Sequence, residues 1–139
     1  MRVALDVNVI LDVFFARQPF AEPASRTFDL IERKRITGFV CATSVTTVFY
    51  IGARIEGASK ALEYVRRLLA IVEVMPVART ILVRALESGN KDFEDAVIAA
   101  AAHDSKVDVL LTRDPKGFRD AGLKVRSPAG FLTEFEAGG

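Results

Sequence analysis

Apolar stretches of strand length alternate with longer stretches of helical spacing along the whole chain. Short, continuous apolar runs predict strands at residues 2–5, 37–41, 71–74, 107–111 and, more briefly, 124–125. Apolar positions three and four residues apart predict helices at residues 8–16, 20–34, 45–56, 59–69, 79–87 and 93–104. This alternation is typical of an α/β domain, and we expect a central, mostly parallel sheet of four to five strands. A length of 139 residues without a linker or repeat predicts one domain over residues 1–139.

Polar side chains follow two of the predicted strands at the point where each strand ends. Asp6 and Asn8 follow the first strand, and Thr112, Arg113 and Asp114 follow the fourth. Open parallel sheets bind ligands beyond the carboxyl ends of their strands, so these side chains are candidates for a functional site. Each acid also has a simpler explanation, because Asp6 could cap a helix and Asp114, before a proline, could start a turn.

The segment "NKDFEDAVIAAAAHD" supplies a third candidate carboxylate. Asp92 is a typical N-cap residue and Asp95 stands three residues later, much as in a capping box. The helix after Asp95 is apolar nearly all round, which predicts burial, and Ala99 and Ala102 share its face with Asp95. Small side chains let a helix approach a sheet closely, and a buried acid without an arginine partner favours a bound cation.

The three acids Asp6, Asp95 and Asp114 are therefore expected to converge. Hard oxygen ligands suit Mg²⁺ or Mn²⁺. On phosphodiesters such ions make hydroxide from bound water and neutralise charge on the phosphoryl oxygens. Arg113 and Lys116, beside the last acid, are candidate phosphate contacts, although charged side chains commonly only face solvent.

Composition excludes several classes of protein but does not identify the function. The formal net charge of +1 and a pI of about 7.9 favour neither nucleic acid nor membrane as a partner of the whole chain. No apolar run approaches the ~20 residues of a membrane helix, and the first residues lack the pattern of a signal peptide. Cys41 and His103 are the only residues of their types, which excludes an internal disulfide and the usual zinc sites. We expect a reducing, cytoplasmic environment.

Three segments, in chain order, resemble the PIN domain: "ALDVNVILD", "DFEDAVIAAAA" and "VDVLLTRDPKGF". The resemblance extends to "TSVTTVFYIGAR" and to the closing "VRSPAGFL", and so covers essentially the whole chain. It implies a three-layer α/β/α sandwich and a ribonuclease dependent on Mg²⁺ or Mn²⁺. Because many small PIN domains are VapC-like toxins of type II toxin–antitoxin pairs, it also implies RNA as substrate, an antitoxin as partner and a homodimer. The exposed parts of the second and fourth predicted helices are candidate dimer surfaces.

The resemblance also assigns roles to particular residues. It implies that Asp6 is the first metal-binding acid with Asn8 as its polar neighbour, that Asp95 is the acid of the late helix, and that Asp114 follows the fourth strand. Thr112 matches the hydroxyl that usually stands beside this last acid. Asp92 is expected to support the ligands from a second layer, besides its role as a cap.

Two positions depart from the usual PIN pattern. A glutamate usually stands on the helix after the second strand, where this chain has Thr47. The family's final motif usually ends in Asp-Phe, and here it is Gly117-Phe118. The site therefore keeps three acids of the usual four or five, which predicts weaker catalysis and one metal ion rather than two. We expect Thr47→Glu to raise activity or metal affinity.

Two other functions remain open from the sequence. A PIN fold that binds RNA or a protein partner without catalysis is favoured by Thr47 and Gly117. An aspartate-dependent phosphatase is suggested by Asp6 at the end of the first strand, with Asn8 two residues later. It is weakened because the next alternate position is Ile10 rather than a serine or threonine. A covalent phosphoenzyme at Asp6 would identify the phosphatase, and metal-independent RNA binding without cleavage would identify the binding module.

Overall fold

The computed structural model describes residues 1–119 and 121–138, and its centre is one parallel sheet. The sheet confirms the predicted α/β fold, with every neighbouring pair of strands parallel. Its spatial order is β3-β2-β1-β4-β5. The strands are β1 (Arg2–Leu5), β2 (Thr37–Cys41), β3 (Glu73–Met75), β4 (Val109–Leu111) and β5 (Val125–Arg126).

Helices fill most of the chain between these strands. None of the helices in the described part of the chain is long and apolar enough to cross a membrane. A short 3-10 turn at Pro115–Phe118 follows β4. The α-helices are α1 (Val7–Phe14), α2 (Ala21–Glu32), α3 (Ala42–Glu56), α4 (Ala58–Ile71), α5 (Arg79–Glu87), α6 (Phe93–Asp104) and α7 (Pro128–Gly138).

The sheet is covered on both faces, which confirms the three-layer sandwich. Alternate side chains of a strand point to opposite faces. Val3 and Leu5 of β1 therefore pack into one core with buried residues of α1, α2, α4 and α7, whereas Ala4 packs into a second core with α5 and α6. In the second core, α6 contributes mainly alanines, and Ala101 and Ala102 are fully buried. The predicted close approach of this helix to the sheet is thus observed.

The largest differences from the sequence prediction are at the third strand and at the last helix. The third strand was predicted at 71–74, but Ile71 is the last residue of α4 and the strand is Glu73–Met75. The apolar residues of a helix end and of the following strand are contiguous here, and periodicity alone does not separate them. The helix α7 was not predicted. The Ser127 hydroxyl accepts a hydrogen bond from the Gly130 amide at 3.0 Å, which is the local signal for its start.

The strand order defines where a ligand can bind. From β1 the chain adds β2 and then β3 on one side, and it returns to place β4 on the other side of β1. In open parallel sheets the crevice for a ligand lies beyond the carboxyl ends of the strands at such a reversal. That point lies between Leu5 and Leu111, which are paired across β1 and β4.

Candidate functional site

Asp6 lies at the reversal point and is held by hydrogen bonds from two elements. It caps α1, because its Oδ1 accepts from the amide of Val7 at 2.8 Å. Its Oδ2 accepts from the Thr112 hydroxyl at 2.8 Å, and that hydroxyl in turn accepts from the amide of Asp114 at 3.1 Å. The end of β1 and the chain after β4 are thereby tied together through one carboxylate. Asp6 is therefore both the cap of α1 and a residue of the predicted site.

The Asp6 carboxylate is unusual because only 8% of the residue is exposed. Burial raises the pKa of Asp6, while the hydrogen bonds from Thr112 and Val7 lower it and the negative charges of Asp92 and Asp114 raise it further. Removal of a carboxylate from water is costly unless a partner compensates its charge. Its charged form would therefore be stabilised by a cation.

Asp95 brings a second carboxylate to the same place from α6. Its amide donates to Asp92 Oδ1 at 3.0 Å, so Asp92 caps the helix as predicted. Burial raises the pKa of Asp95 to about 7, and the negative charges of Asp92, Asp6, Glu94 and Asp114 add to this rise. These repulsions favour the protonated form of Asp95.

Gly117 makes room for this cluster. A Cβ atom at this position would lie 2.7 Å from Asp95 Oδ2 and 3.9 Å from Asp114 Oδ2. The backbone of the 3-10 turn is thus packed against the Asp95 carboxylate, and the Asn90 amide group holds it by donating to the Gly117 carbonyl at 3.2 Å. An aspartate here, as in the usual PIN pattern, would require the Asp95 side chain to move.

The basic residues predicted to contact phosphate have different environments. The guanidinium of Arg113 lies 2.9 Å from Asp12 Oδ2, at Nε, and 4.2 Å from the ring centroid of Phe20. Burial raises the pKa of Asp12, and the charge of Arg113 opposes that rise. Arg113 is thus already paired, and its contact with RNA stays a prediction. Lys116 is exposed in the 3-10 turn.

The donor set fits Mg²⁺ or Mn²⁺ in chemistry, since Asp6, Asp95 and Asp114 offer hard carboxylate oxygens. Within residues 1–119 and 121–138, however, no three acidic, histidine or cysteine side chains are arranged closely enough to hold a metal ion. A divalent cation would have to draw the carboxylates together, and it would relieve the repulsion between them. The predicted ligand set therefore stays a prediction. Asn8 is exposed on α1.

Two residues near the site were not identified from the sequence. Asn90 was overlooked because a polar residue in a loop between helices carries no specific signal. Glu94 stands beside Asp95 in the first turn of α6, where it is exposed, and the sequence carries no specific signal for it either. Burial raises the pKa of Glu94, and the Thr47 hydroxyl opposes this by favouring the charged form.

Comparisons with known proteins agree with this architecture. The model of the PIN domain family matches residues 2–116. VapBC2 from Rickettsia felis, solved with a DNA fragment from its promoter, aligns with a TM-score of 0.70 at 14% identity, over 91% of this chain and 98% of the other. VapC20 from Mycobacterium tuberculosis, described as a Sarcin-Ricin loop cleaving toxin, aligns with a TM-score of 0.70 at 18% identity, over 87% of this chain and 95% of the other.

A toxin–antitoxin complex from Klebsiella pneumoniae aligns with a TM-score of 0.66 at 22% identity, over 91% of this chain and 97% of the other. No curated protein sequence matches the chain significantly. At these identities the solved structures establish a shared fold.

The raised pKa of Asp95 predicts that Asp95→Asn stabilises the metal-free protein. The folded-state pKa of about 7 exceeds the usual 3.8, so ionisation of Asp95 destabilises the fold as the pH rises between these values. Because Asp95 is partly exposed and screened by solvent, we expect a gain of about 1–2 kcal/mol at pH 8. The gain should be much smaller near pH 4, where the carboxyl group is protonated in the folded state and partly protonated in the unfolded state.

Urea unfolding in EDTA, at pH 8 and pH 4, measures this effect. Asp29→Asn, at an exposed carboxylate of α2 in an i,i+4 pair with Arg33, is the control and should show no such gain. An Asp95→Asn protein no more stable than the parent at pH 8 would contradict the proposed repulsion.

Proposed function

The chain belongs to the PIN domain family, and from this premise we propose that it is a divalent-metal-dependent ribonuclease. One observation carries the proposal: the buried carboxylate of Asp6 shares the carboxyl end of β1 and β4 with Asp95 and Asp114. These are the three acids that the PIN resemblance assigns to the metal. Their mutual repulsion supports a cation as the missing partner.

In this proposal Asp6, Asp95 and Asp114 hold Mg²⁺ or Mn²⁺. When bound, the ion activates a water molecule and offsets the negative charge that builds on the scissile phosphate. Thr112 positions Asp6, because its hydroxyl is shared between the Asp6 carboxylate and the Asp114 amide. Asp92 holds the first turn of α6, and thereby Asp95, in place.

A cavity of about 300 Å³ beside Gly117 supports the binding of RNA next to these acids. Four of its lining side chains, Arg84, His103, Lys116 and Arg119, carry or can accept positive charge. The rest of its wall includes alanines of α6, and their small side chains leave the cavity open. The acidic centre could bind a cation, and the basic residues at its border could bind a polyanion such as RNA. Lys116 is adjacent in sequence to Gly117 and stands two residues after Asp114.

A binding module without catalysis is the second candidate. Thr47 and Gly117 replace acids of the usual PIN pattern, and among the described residues no three carboxylates are placed closely enough to hold a metal ion. Such a module would bind RNA through the same basic border and would not cleave it. The nuclease is favoured because a binding module gives no reason to bury Asp6 beside further acids.

A toxin–antitoxin role is proposed from the structural neighbours, since VapBC2 and the Klebsiella pneumoniae structure are described as toxin–antitoxin complexes. An antitoxin encoded beside this chain would be its partner. We also propose a homodimer. The proposal is supported by large exposed apolar side chains on α3, α4 and α5, which water solvates poorly. They are Tyr50, Ile55, Leu62, Leu69, Leu82 and Leu86.

The homodimer predicts a solution mass of about twice the 15.2 kDa of one chain. Sedimentation equilibrium from low to high micromolar concentration measures it. A mass of one chain at every concentration would contradict the dimer and leave the nuclease proposal standing.

The nuclease proposal predicts that Mn²⁺-dependent cleavage of single-stranded RNA depends on the carboxylates. Asp6→Asn and Asp95→Asn should each lower the cleavage rate by about 100-fold or more, because each removes a charge that holds the ion. A fluorescent RNA substrate measures cleavage, with EDTA as one control and Asp29→Asn as the matched variant. Equal cleavage by the parent and Asp95→Asn would point to a contaminating nuclease. Binding without cleavage by the parent would select the binding module.

The basic border predicts a salt-dependent affinity for RNA. Lys116→Ala should weaken binding and lower the slope of log affinity against log salt concentration by about one, since one phosphate contact is lost. Lys60→Ala, at an exposed lysine of α4, is the control and should leave both quantities unchanged. Fluorescence anisotropy with Asp95→Asn as background measures binding without cleavage. An unchanged slope in Lys116→Ala would remove Lys116 from the interface.

A further inference from the structure

We propose that the ion pair between Asp12 of α1 and Arg113 positions the carboxylate of Asp114 in the candidate site. Both members of the pair are thus positioning residues, and Arg113 acts inside the protein instead of on the phosphate that its place in the sequence suggests. The inference rests on the proposed nuclease function and deepens it. It concerns where the Asp114 carboxylate is held, whether or not a metal ion is bound.

The ion pair of Asp12 with Arg113 is buried. Arg113 Nε lies 2.9 Å from Asp12 Oδ2, and the two side chains are 27% and 1% exposed, respectively. The other ion pairs among the residues that the structure describes join side chains that are at least 39% exposed. Exposed pairs contribute little to stability, whereas the loss of one partner of a buried pair leaves an uncompensated charge. Asp12 therefore holds Arg113 more firmly than a surface acid would.

Phe20 completes the environment of Arg113. Its ring centroid lies 4.2 Å from the guanidinium carbon, within the range of a cation–π contact. In the described part of the chain no aligned hydrogen bond reaches the Asp12 carboxylate, so the attraction between the two charges does not by itself orient the guanidinium plane. The Phe20 ring, over which the guanidinium lies, favours one orientation of that plane. This contact also gives Phe20 a partner, although the residue is 40% exposed.

Two consecutive residues attach the chain after β4 to α1. The Thr112 hydroxyl donates to Asp6, the cap of α1, at 2.8 Å. Arg113 contacts Asp12, six residues further along the same helix, which corresponds to about 9 Å. A segment held at two points of one helix neither slides along it nor turns about a single contact. The residue that follows, Asp114, is therefore held at a fixed place relative to Asp6.

Asp114 depends on this attachment because its side chain makes no capping hydrogen bond at the start of the 3-10 turn, and the residue is exposed. Its amide donates to the Thr112 hydroxyl at 3.1 Å. The carboxylate is thus placed by the backbone that Thr112 and Arg113 hold. Without the contact to Asp12, Thr112 alone attaches this backbone to α1. A displacement of a reacting group by about 1 Å can lower a rate by about 100-fold.

Amide hydrogen exchange in EDTA measures the placement of Asp114 without metal or RNA. The variants are Asp12→Asn, Arg113→Met and the double variant, in which no charge of the pair is left unpaired. We expect the Asp114 amide to exchange about tenfold faster or more in each single variant, while the amides of β2 exchange as in the parent.

The exposed pair of Asp29 and Arg33 on α2, at 3.1 Å, supplies the matched controls for this experiment. Asp29→Asn and Arg33→Met remove the same charges from the surface of the protein. The Asp114 amide should exchange in both controls as it does in the parent.

RNA cleavage gives the functional readout, measured well below the melting temperature of each variant so that all are folded. We expect kcat to fall by about 10- to 100-fold in Asp12→Asn and in Arg113→Met, with KM for RNA within about twofold of the parent. Because the two residues act through one contact, the double variant should be no slower than the slower single variant. A purely structural pair would lower the melting temperature and leave kcat of the folded protein unchanged.

The outcomes separate this inference from its alternatives and from the proposed function. Unchanged exchange of the Asp114 amide overturns it, and so does an unchanged kcat in folded Asp12→Asn when the parent cleaves RNA. A slope of log affinity against log salt concentration that falls by about one in Arg113→Met, but not in Asp12→Asn, identifies a phosphate contact and also overturns it. If exchange is accelerated as expected and the parent cleaves no RNA, the placement of Asp114 stands and the nuclease proposal fails.

Discussion

The hydrogen bonds that hold the Asp6 carboxylate connect the end of β1, the start of α1 and the chain after β4. Asp6 ends β1 and begins α1, and the Thr112 hydroxyl joins it to the chain that carries Asp114. A carboxylate with 8% exposure is expensive to bury, and two good hydrogen bonds offset a part of that cost. The position of the acid is thus fixed by the central strands of the sheet rather than by a loop. The other acids are placed around it by α6 and by the chain after β4.

The main features of the fold were accessible from the sequence because they depend on local patterns. The apolar run of β1, the switch to helical spacing after it and the cap at Asp6 all lie within fifteen residues. The alanines of α6 similarly predicted a helix packed closely on the sheet. The boundary between α4 and β3 was not accessible, because apolar residues belong to both sides of it. The helix α7 was missed since its first turn, with Pro128 and Gly130, looks like a turn in the sequence.

The sequence predicts which acids form the candidate site, but it does not predict the contacts around them. The sequence places Asp6, Asp95 and Asp114 near strand and helix ends, and parallel topology brings those ends to one edge. By contrast, the packing of the Gly117 backbone against the Asp95 carboxylate joins residues 22 positions apart, and it depends on how the 3-10 turn is placed against α6. The pairing of Arg113 with Asp12 is equally non-local. It changes the interpretation of Arg113, because an arginine next to an acid of the candidate site in sequence need not point into that site.

Arg113 and Asp114 are adjacent in sequence, but the Arg113 side chain is directed away from the acids of the candidate site. Arg113 turns to α1, where its guanidinium lies against Asp12 and the Phe20 ring, so the chain after β4 is anchored outside the acid cluster. If that cation instead entered the cluster, it would neutralise the repulsion among the acids and compete with a divalent ion for the same carboxylates. Asp12 is 1% exposed and would be left uncompensated by such a movement, and an unpaired buried charge is strongly unfavourable. The buried partner on α1 therefore keeps the Arg113 guanidinium away from the acids, so that it does not compete with the proposed metal ion.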